Sequence, residues 1–181
     1  MNGAERFEAF VRKYQGMVYA GAVRLLGNRT DAEDVAQSVF LKAFQRFGDI
    51  AESPAAPGWL KTVTRNECLN HLTRHRARWQ LFSELERSDE EASAMPYESF
   101  LVSEASPSDR LEQDEARAGL ERALGELPAH QRVPLVLFHF DEMSYQQIAI
   151  ALGVSVSKVK TDIHRGREAL KKHLSAGHGS H

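Results

Sequence analysis

Residues 144–174, SYQQIAIALGVSVSKVKTDIHRGREALKKHL, decide how the C-terminal part of this chain folds. Ser144 and Gln147 form a Ser-x-x-Gln capping box that opens a short helix, and Ile148, Ala149 and Leu152 give that helix a buried side. Gly153 supplies the left-handed conformation that stops it, and Ser155 is placed to cap the next helix. In the second helix Val156, Val159, Ile163, Gly166, Leu170 and Leu174 recur at steps of three and four and share one stripe. Ser157, Lys158, Thr161, His164, Arg165 and Lys172 lie mostly opposite. A helix held from behind, with small polar and basic residues in front, suits insertion into a DNA major groove. The pattern predicts a helix-turn-helix. Lys171 and Lys172 alone read as an ordinary solvated face; the joint spacing of Ala149, Gly153, Val159 and Ile163 around a capped turn favours DNA.

Working outward, 181 residues allow one domain of ordinary size or two small ones. Few glycines and prolines, with many three-four repeats, predict an all-α protein. Apolar runs such as Val133 to Phe138 are too short to cross a bilayer, and no secretion signal opens the chain, so no membrane insertion is expected. One cysteine, Cys68, excludes an internal disulfide and fits a reducing cytoplasm. The net charge of −2 hides a segregation. Residues 1–80 hold 12 Lys and Arg against 8 Asp and Glu, residues 81–115 hold 2 against 11, and residues 116–181 hold 9 against 6. Basic ends around an acidic middle fit two DNA-contacting modules and a connector that avoids the duplex.

The expected organisation is therefore two small helical domains, 1–80 and 114–175, joined by an acidic linker, 81–113, with a short tail, 176–181. Four helices are expected in the first. Phe7, Phe10, Val11 and Tyr14 mark one, and Met17 to Leu26 a second, stopped at Gly27-Asn28. Thr30 with Glu33 reads as a capping box for a third, running to about Phe47. A loop, Gly48 to Gly58, leads to a fourth, from near Trp59 toward Arg78. Residues 81–113 are acidic, Ser-rich and broken by Pro96 and Pro107, and the apolar clump Tyr97, Phe100, Leu101 and Val102 has no assigned place. Leu120, Leu124 and Leu127 mark the next helix. Pro128 suits the first turn of the following one, while Pro134 is an interior proline expected to kink it.

These residues resemble the extracytoplasmic-function (ECF) group of bacterial RNA polymerase sigma factors. The C-terminal resemblance is LGELPAHQRVPLVLFHFDEMSYQQIAIALGVSVSKVKTDIHRGREALKKHL, 124–174. The N-terminal one is DAEDVAQSVFLKAFQRFGD, 31–49, followed by PGWLKTVTRNECLNHLTRHR, 57–76. The pairing is far more specific than either half. It implies no enzymatic activity and no cofactor. Expected partners are core RNA polymerase, promoter DNA and a cognate anti-sigma factor. The implied role is promoter recognition, promoter melting and transcription initiation in the cytoplasm.

The resemblance also implies roles for residues. On the third helix Val35, Val39 and Ala43, with Phe40 and Phe44 beside them, should be core. Asp34, Gln37, Leu41 and Gln45 flank an outward face that docks on the polymerase; periodicity alone reads it as an ordinary amphipathic surface. On the fourth, Leu60, Thr64, Cys68 and Leu72 make an inward line. Thr62, Asn66 and Asn70 make a polar line flanked by Lys61 and Arg65. Amides offer donor and acceptor to a base edge, and cations offset phosphate repulsion. The preceding loop, including Asp49, Ile50 and Ala51, resembles one that captures a base turned out of the −10 strand. Trp59 either anchors this helix start or is core. Arg74, Arg76 and Arg78 add phosphate attraction screened by salt. At the −35 element the resemblance assigns DNA contact to Lys158, Lys160, Thr161, His164 and Arg165. Asp162 departs from the family pattern; a carboxylate there would repel phosphates or accept from a cytosine amine. The acidic connector is expected along the polymerase cleft.

A second reading is a helix-turn-helix transcription regulator of the response-regulator output type. It explains 144–174 and leaves the fourth helix idle. Eight histidines suggest metal, yet none pairs into a ligand set; His71 and His75, at i and i+4, read as surface residues, and His178 and His181 sit in the tail. No metal is expected. Cys68, on the buried line, reads as an inert core thiol.

Overall fold

A computed structural model describes residues 2–74 and 107–177. Among them every regular element is helical, and they gather into two units. The apolar clump Tyr97, Phe100, Leu101 and Val102, together with His75, Arg76, Arg78, His178 and His181, lies outside the described residues. No helix among the described residues is long and apolar enough to cross a membrane.

The first unit comprises α1 (Gly3–Leu26), α2 (Arg29–Gln45), α3 (Phe47–Ile50) and α4 (Ala56–Arg74). Helices α1, α2 and α4 each pack on the other two, burying Val18, Ala22, Leu25, Val39, Ala43, Leu60 and Cys68. Where two helices were expected before Gly27, α1 is one. The buried positions Phe10, Val18, Ala22 and Leu25 carry the helical spacing straight through Gln15-Gly16. A single interior glycine costs only about 1 kcal/mol, too little to break a helix packed on two neighbours. Asn2 and Glu5 close a capping box at its start, and Gly27, at φ 66°, ends it by donating to the Val23 carbonyl at 2.7 Å.

That left-handed turn explains a second correction. Asn28, not Thr30, caps α2: the chain leaves Gly27 in extended geometry, and the Asn28 side chain accepts from Asp31 N–H at 3.1 Å. Phe44 was expected in the core and is 60% exposed. The buried line of α2 runs Ala32, Val35, Val39, Ala43, and one further residue turns Phe44 roughly 100° away. Its ring meets Phe7 edge-on at 5.0 Å. The expected loop from Gly48 contains the short helix α3, pinned by buried Ile50, and α4 opens at Ala56 with Pro57 in its first turn.

The second unit comprises α5 (Pro107–Glu126), α6 (Ala129–His139), α7 (Tyr145–Leu152) and α8 (Val156–Gly177). Helix α5 opens inside the segment expected as linker. Helix α8 packs on all three others. Pro128 stands at the N-cap of α6 rather than in its first turn. Pro134 lies inside α6, and the helix continues past it: Val133, Pro134, Leu135, Val136 and Leu137 are all buried, so packing holds the segment where the backbone bond is lost. Buried Arg132 donates from Nη1 to the Leu127 carbonyl at 2.9 Å, tying α6 to the end of α5, and burial lowers its proton affinity.

Candidate nucleic-acid interface

The two helices of the turn are set by local chemistry. Ser144 Oγ accepts from Gln147 N–H at 3.1 Å, and the Gln147 side chain accepts from Ser144 N–H at 2.9 Å, which closes the capping box. Gly153 adopts φ 66°. Its N–H donates to Ile150 O at 3.3 Å while Val154 N–H reaches Ala149 O at 3.0 Å, the paired bonds of a Schellman stop. Ser155 Oγ accepts from Lys158 N–H at 3.1 Å and caps α8. Ile148, Val159, Ile163, Gly166 and Leu170 are buried, so α8 turns its opposite side outward.

On that outward side Lys160 is exposed, and Thr161, His164 and Arg165 are half-buried. Lys160 Nζ lies 5.7 Å from the centre of the Tyr145 ring, a cation over an aromatic face. Thr161 Oγ1 donates back to the Ser157 carbonyl at 3.1 Å, so its hydroxyl is already engaged within the helix. Lys158 points elsewhere: its ammonium donates to Asp162 Oδ2 at 2.6 Å. Asp162 is 4% exposed, which removes it from the groove edge that the sequence reading offered it. Burial raises its pKa, opposed by the Lys158 hydrogen bond and by the charges of Lys158, His130 and Arg165.

Behind the helix, Arg167 Nε donates to His139 Nε2 at 3.1 Å, and its guanidinium lies 5.6 Å from the centre of the Phe138 ring. Phe138 stacks on Tyr145 at 4.8 Å. Burial, and then the positive charge of Arg167, pull the His139 pKa down to about 4. Neutral His139 thus presents the lone pair that Arg167 needs. Sequence reading missed this ladder, because its members come from three separate elements.

In the first unit α4 holds Leu60, Thr64 and Cys68 inward and leaves Lys61, Thr62, Asn66 and Asn70 exposed. Arg65 and Trp59 are half-buried, as is Leu72 on the line expected inward. In the preceding segment Asp49 is exposed and Ala51 half-buried, while Ile50 is turned into the core and serves as an anchor. Arg6 of α1 reaches Glu52 at 2.8 Å and tethers that segment from a second side. Asp34, Gln37, Leu41 and Gln45 are all exposed on α2, and Phe44 extends that face. Lys42 pairs with Glu67, and Asp31 with His71 at 3.3 Å, joining α2 to α4.

Comparison with known proteins follows the same division. Sigma-70 region 2 matches residues 10–78, and sigma-70, region 4 matches residues 117–170. RNA polymerase sigma-H factor of Pseudomonas aeruginosa is 31% identical over 93% of this chain and 86% of its own length. ECF RNA polymerase sigma factor SigW of Bacillus subtilis is 29% identical over 94% and 89%. ECF RNA polymerase sigma factor SigE of Mycolicibacterium smegmatis is 32% identical over 93% of this chain, which spans 62% of that protein. With region 2 in its first helical unit, region 4 in its second, and full-length likeness to such factors, this chain belongs to the sigma-70 family, in its ECF group of RNA polymerase sigma factors.

Proposed function

We propose that this chain acts in the cytoplasm as an alternative sigma factor, binding core RNA polymerase and directing it to a class of promoters. The observation that carries the proposal is the joint presence of regions 2 and 4, each exposing a polar or basic helix face over a packed core. In this reading the outward face of α2, with Asp34, Gln37, Leu41 and Gln45, docks on the polymerase. Asp49, Ala51, Lys61, Arg65, Asn66 and Asn70 engage the −10 strand, with Ile50 and Trp59 anchoring the segment that carries them. Lys160, Thr161, His164 and Arg165 face the −35 duplex, the capped start of α8 aiding phosphate contact. Lys158, assigned there by resemblance, is held by Asp162. The work is binding and positioning, with no reaction of its own.

A cognate anti-sigma protein would compete for the same faces, and exposed Leu41 and Phe44 are what such a partner would cover. Transcription by purified core polymerase, with and without the chain, on a genomic promoter pool tests the proposal. Transcripts that start at defined sites only when the chain is added are expected. DNA binding with no transcripts would favour the response-regulator type of helix-turn-helix protein, a reading that leaves α4 without a task.

A further inference from the structure

Asp162 sits on the helix proposed to enter the groove, yet its side chain is 6% exposed and is bonded to Lys158 Nζ at 2.6 Å, one turn back. Lys158 is drawn in with it, its side chain 26% exposed, whereas Lys160 on the next turn face is open. A surface pair at i and i+4 is a minor stabilising device. This pair is different: taking a carboxylate out of water is costly, and the attraction to one lysine returns little net stability. Its consequence lies in charge placement.

We infer that Asp162 is an internal counter-ion that withdraws Lys158 from the phosphates and thereby limits how strongly α8 holds any DNA sequence. The inference rests on the reading of α8 as a DNA-facing helix. Attraction to the duplex that ignores sequence comes from cations displacing condensed counterions, each phosphate contact adding about 0.9 to the slope of log K against log salt. A lysine already neutralised by a buried carboxylate displaces none. Binding to all sequences weakens alike, and the side chains placed at base edges, Thr161, His164 and Arg165, decide a larger share of the affinity. Asp162 is in this sense a specificity-determining residue that acts through Lys158 and touches no base.

The test uses the full chain and a labelled random-sequence duplex of about 25 base pairs, with affinity followed over a range of salt. Asp162→Asn is expected to steepen the slope by about 0.9 and to tighten binding severalfold at low salt. The double variant Asp162→Asn/Lys158→Gln is expected to return to the wild-type slope. An Asp162→Asn slope equal to wild type, or a double variant shallower than wild type by about 0.9, overturns the inference. Should Asp162→Asn not fold, amine acetylation of the wild-type chain decides. Lys158 is expected to react more slowly than Lys160 and to be unchanged by the duplex, while the duplex shields Lys160; shielding of Lys158 overturns the inference. If the duplex shields neither lysine and Lys160→Gln leaves the slope unaltered, the underlying reading of α8 fails instead.

Discussion

Gly166 of α8 lies so close to α6 that a Cβ there would sit 3.2 Å from the carbonyl oxygen of Gln131 and 3.5 Å from Leu135 Cδ2. Two packed helices, α6 and α8, therefore meet at a position with no side chain. Substitution by alanine gains about 1 kcal/mol of helix propensity but presses on backbone in a packed core, which costs about 1–3 kcal/mol. The Gln131 backbone has little room to give way, because its chain neighbours His130 and Arg132 are buried too. Gly166→Ala is expected to lower stability by about 1 kcal/mol net. Gly119, inside α5 with nothing within 4 Å of a built Cβ, is the control. There alanine should add about 0.5–1 kcal/mol. Denaturant titration checks both, and a stabilising Gly166→Ala would refute the close approach.

Glu142, in the turn between α6 and α7, has φ 55°, the left-handed region that side chains with a Cβ adopt at a cost. Glu142→Gly is expected to stabilise the chain by up to about 1 kcal/mol. Gly153→Ala, at φ 66°, should destabilise it by a similar amount, about 1 kcal/mol. Opposite shifts in melting temperature are the signature. Equal signs would show that the turn relaxes around either residue.

Burial of His139, with the charge of Arg167 beside it, makes stability depend on pH. The folded pKa of His139 is about 4, below the ordinary 6.5, so the unfolded chain takes up the proton first as pH falls. Its contribution is complete above pH 6.5 and is lost as pH drops toward 4. The full gap corresponds to about 3 kcal/mol, which partial exposure reduces to about 1–2 kcal/mol. Asp162 works in the opposite sense, since burial raises its pKa and its protonation in acid relieves a desolvated charge. Melting curves of the wild type and His139→Gln between those pH values isolate the histidine: the wild type should lose more stability on acidification. Parallel curves would count against a buried, neutral His139.

Leu41 is 66% exposed on α2, beside Phe44 at 60%, and neither contributes to the core. Leu41→Glu should leave the melting transition within about 0.5 kcal/mol of wild type. If this face docks on core polymerase, the same change should weaken that association at least about tenfold, or 1.4 kcal/mol. Binding of labelled chain to purified core provides the measurement, and an unaltered affinity would move the docking face elsewhere.

The helix-turn-helix was legible residue by residue because its signals are local. Ser144, Gln147, Gly153 and Ser155 each bond within five residues of themselves, and each does in the structure what its type and spacing foretold. The inward line of α2 at Val35, Val39 and Ala43, and that of α4 at Leu60, Thr64 and Cys68, were legible for the same reason, while Leu72 at the end of α4 is only half-buried. Phe44 was misplaced because an aromatic residue next to a buried line looks the same in sequence whether it is turned in or out. The break expected before Met17 was misplaced because Gly16 offers the option of a turn, and only packing on α2 and α4 declines it.

By itself the sequence determined the helical class, the two-part division and the capped turn, since caps, left-handed glycines and three-four spacing act over a single turn of chain. The tertiary structure alone decided which polar groups of α8 remain available. Asp162 and Lys160 look equally outward by spacing, yet the first is buried, with the charge of His130 from α6 acting on it, and pairs with Lys158, while the Tyr145 ring supports the second. Burial and charge pairing depend on partners far away along the chain, and no local pattern records them.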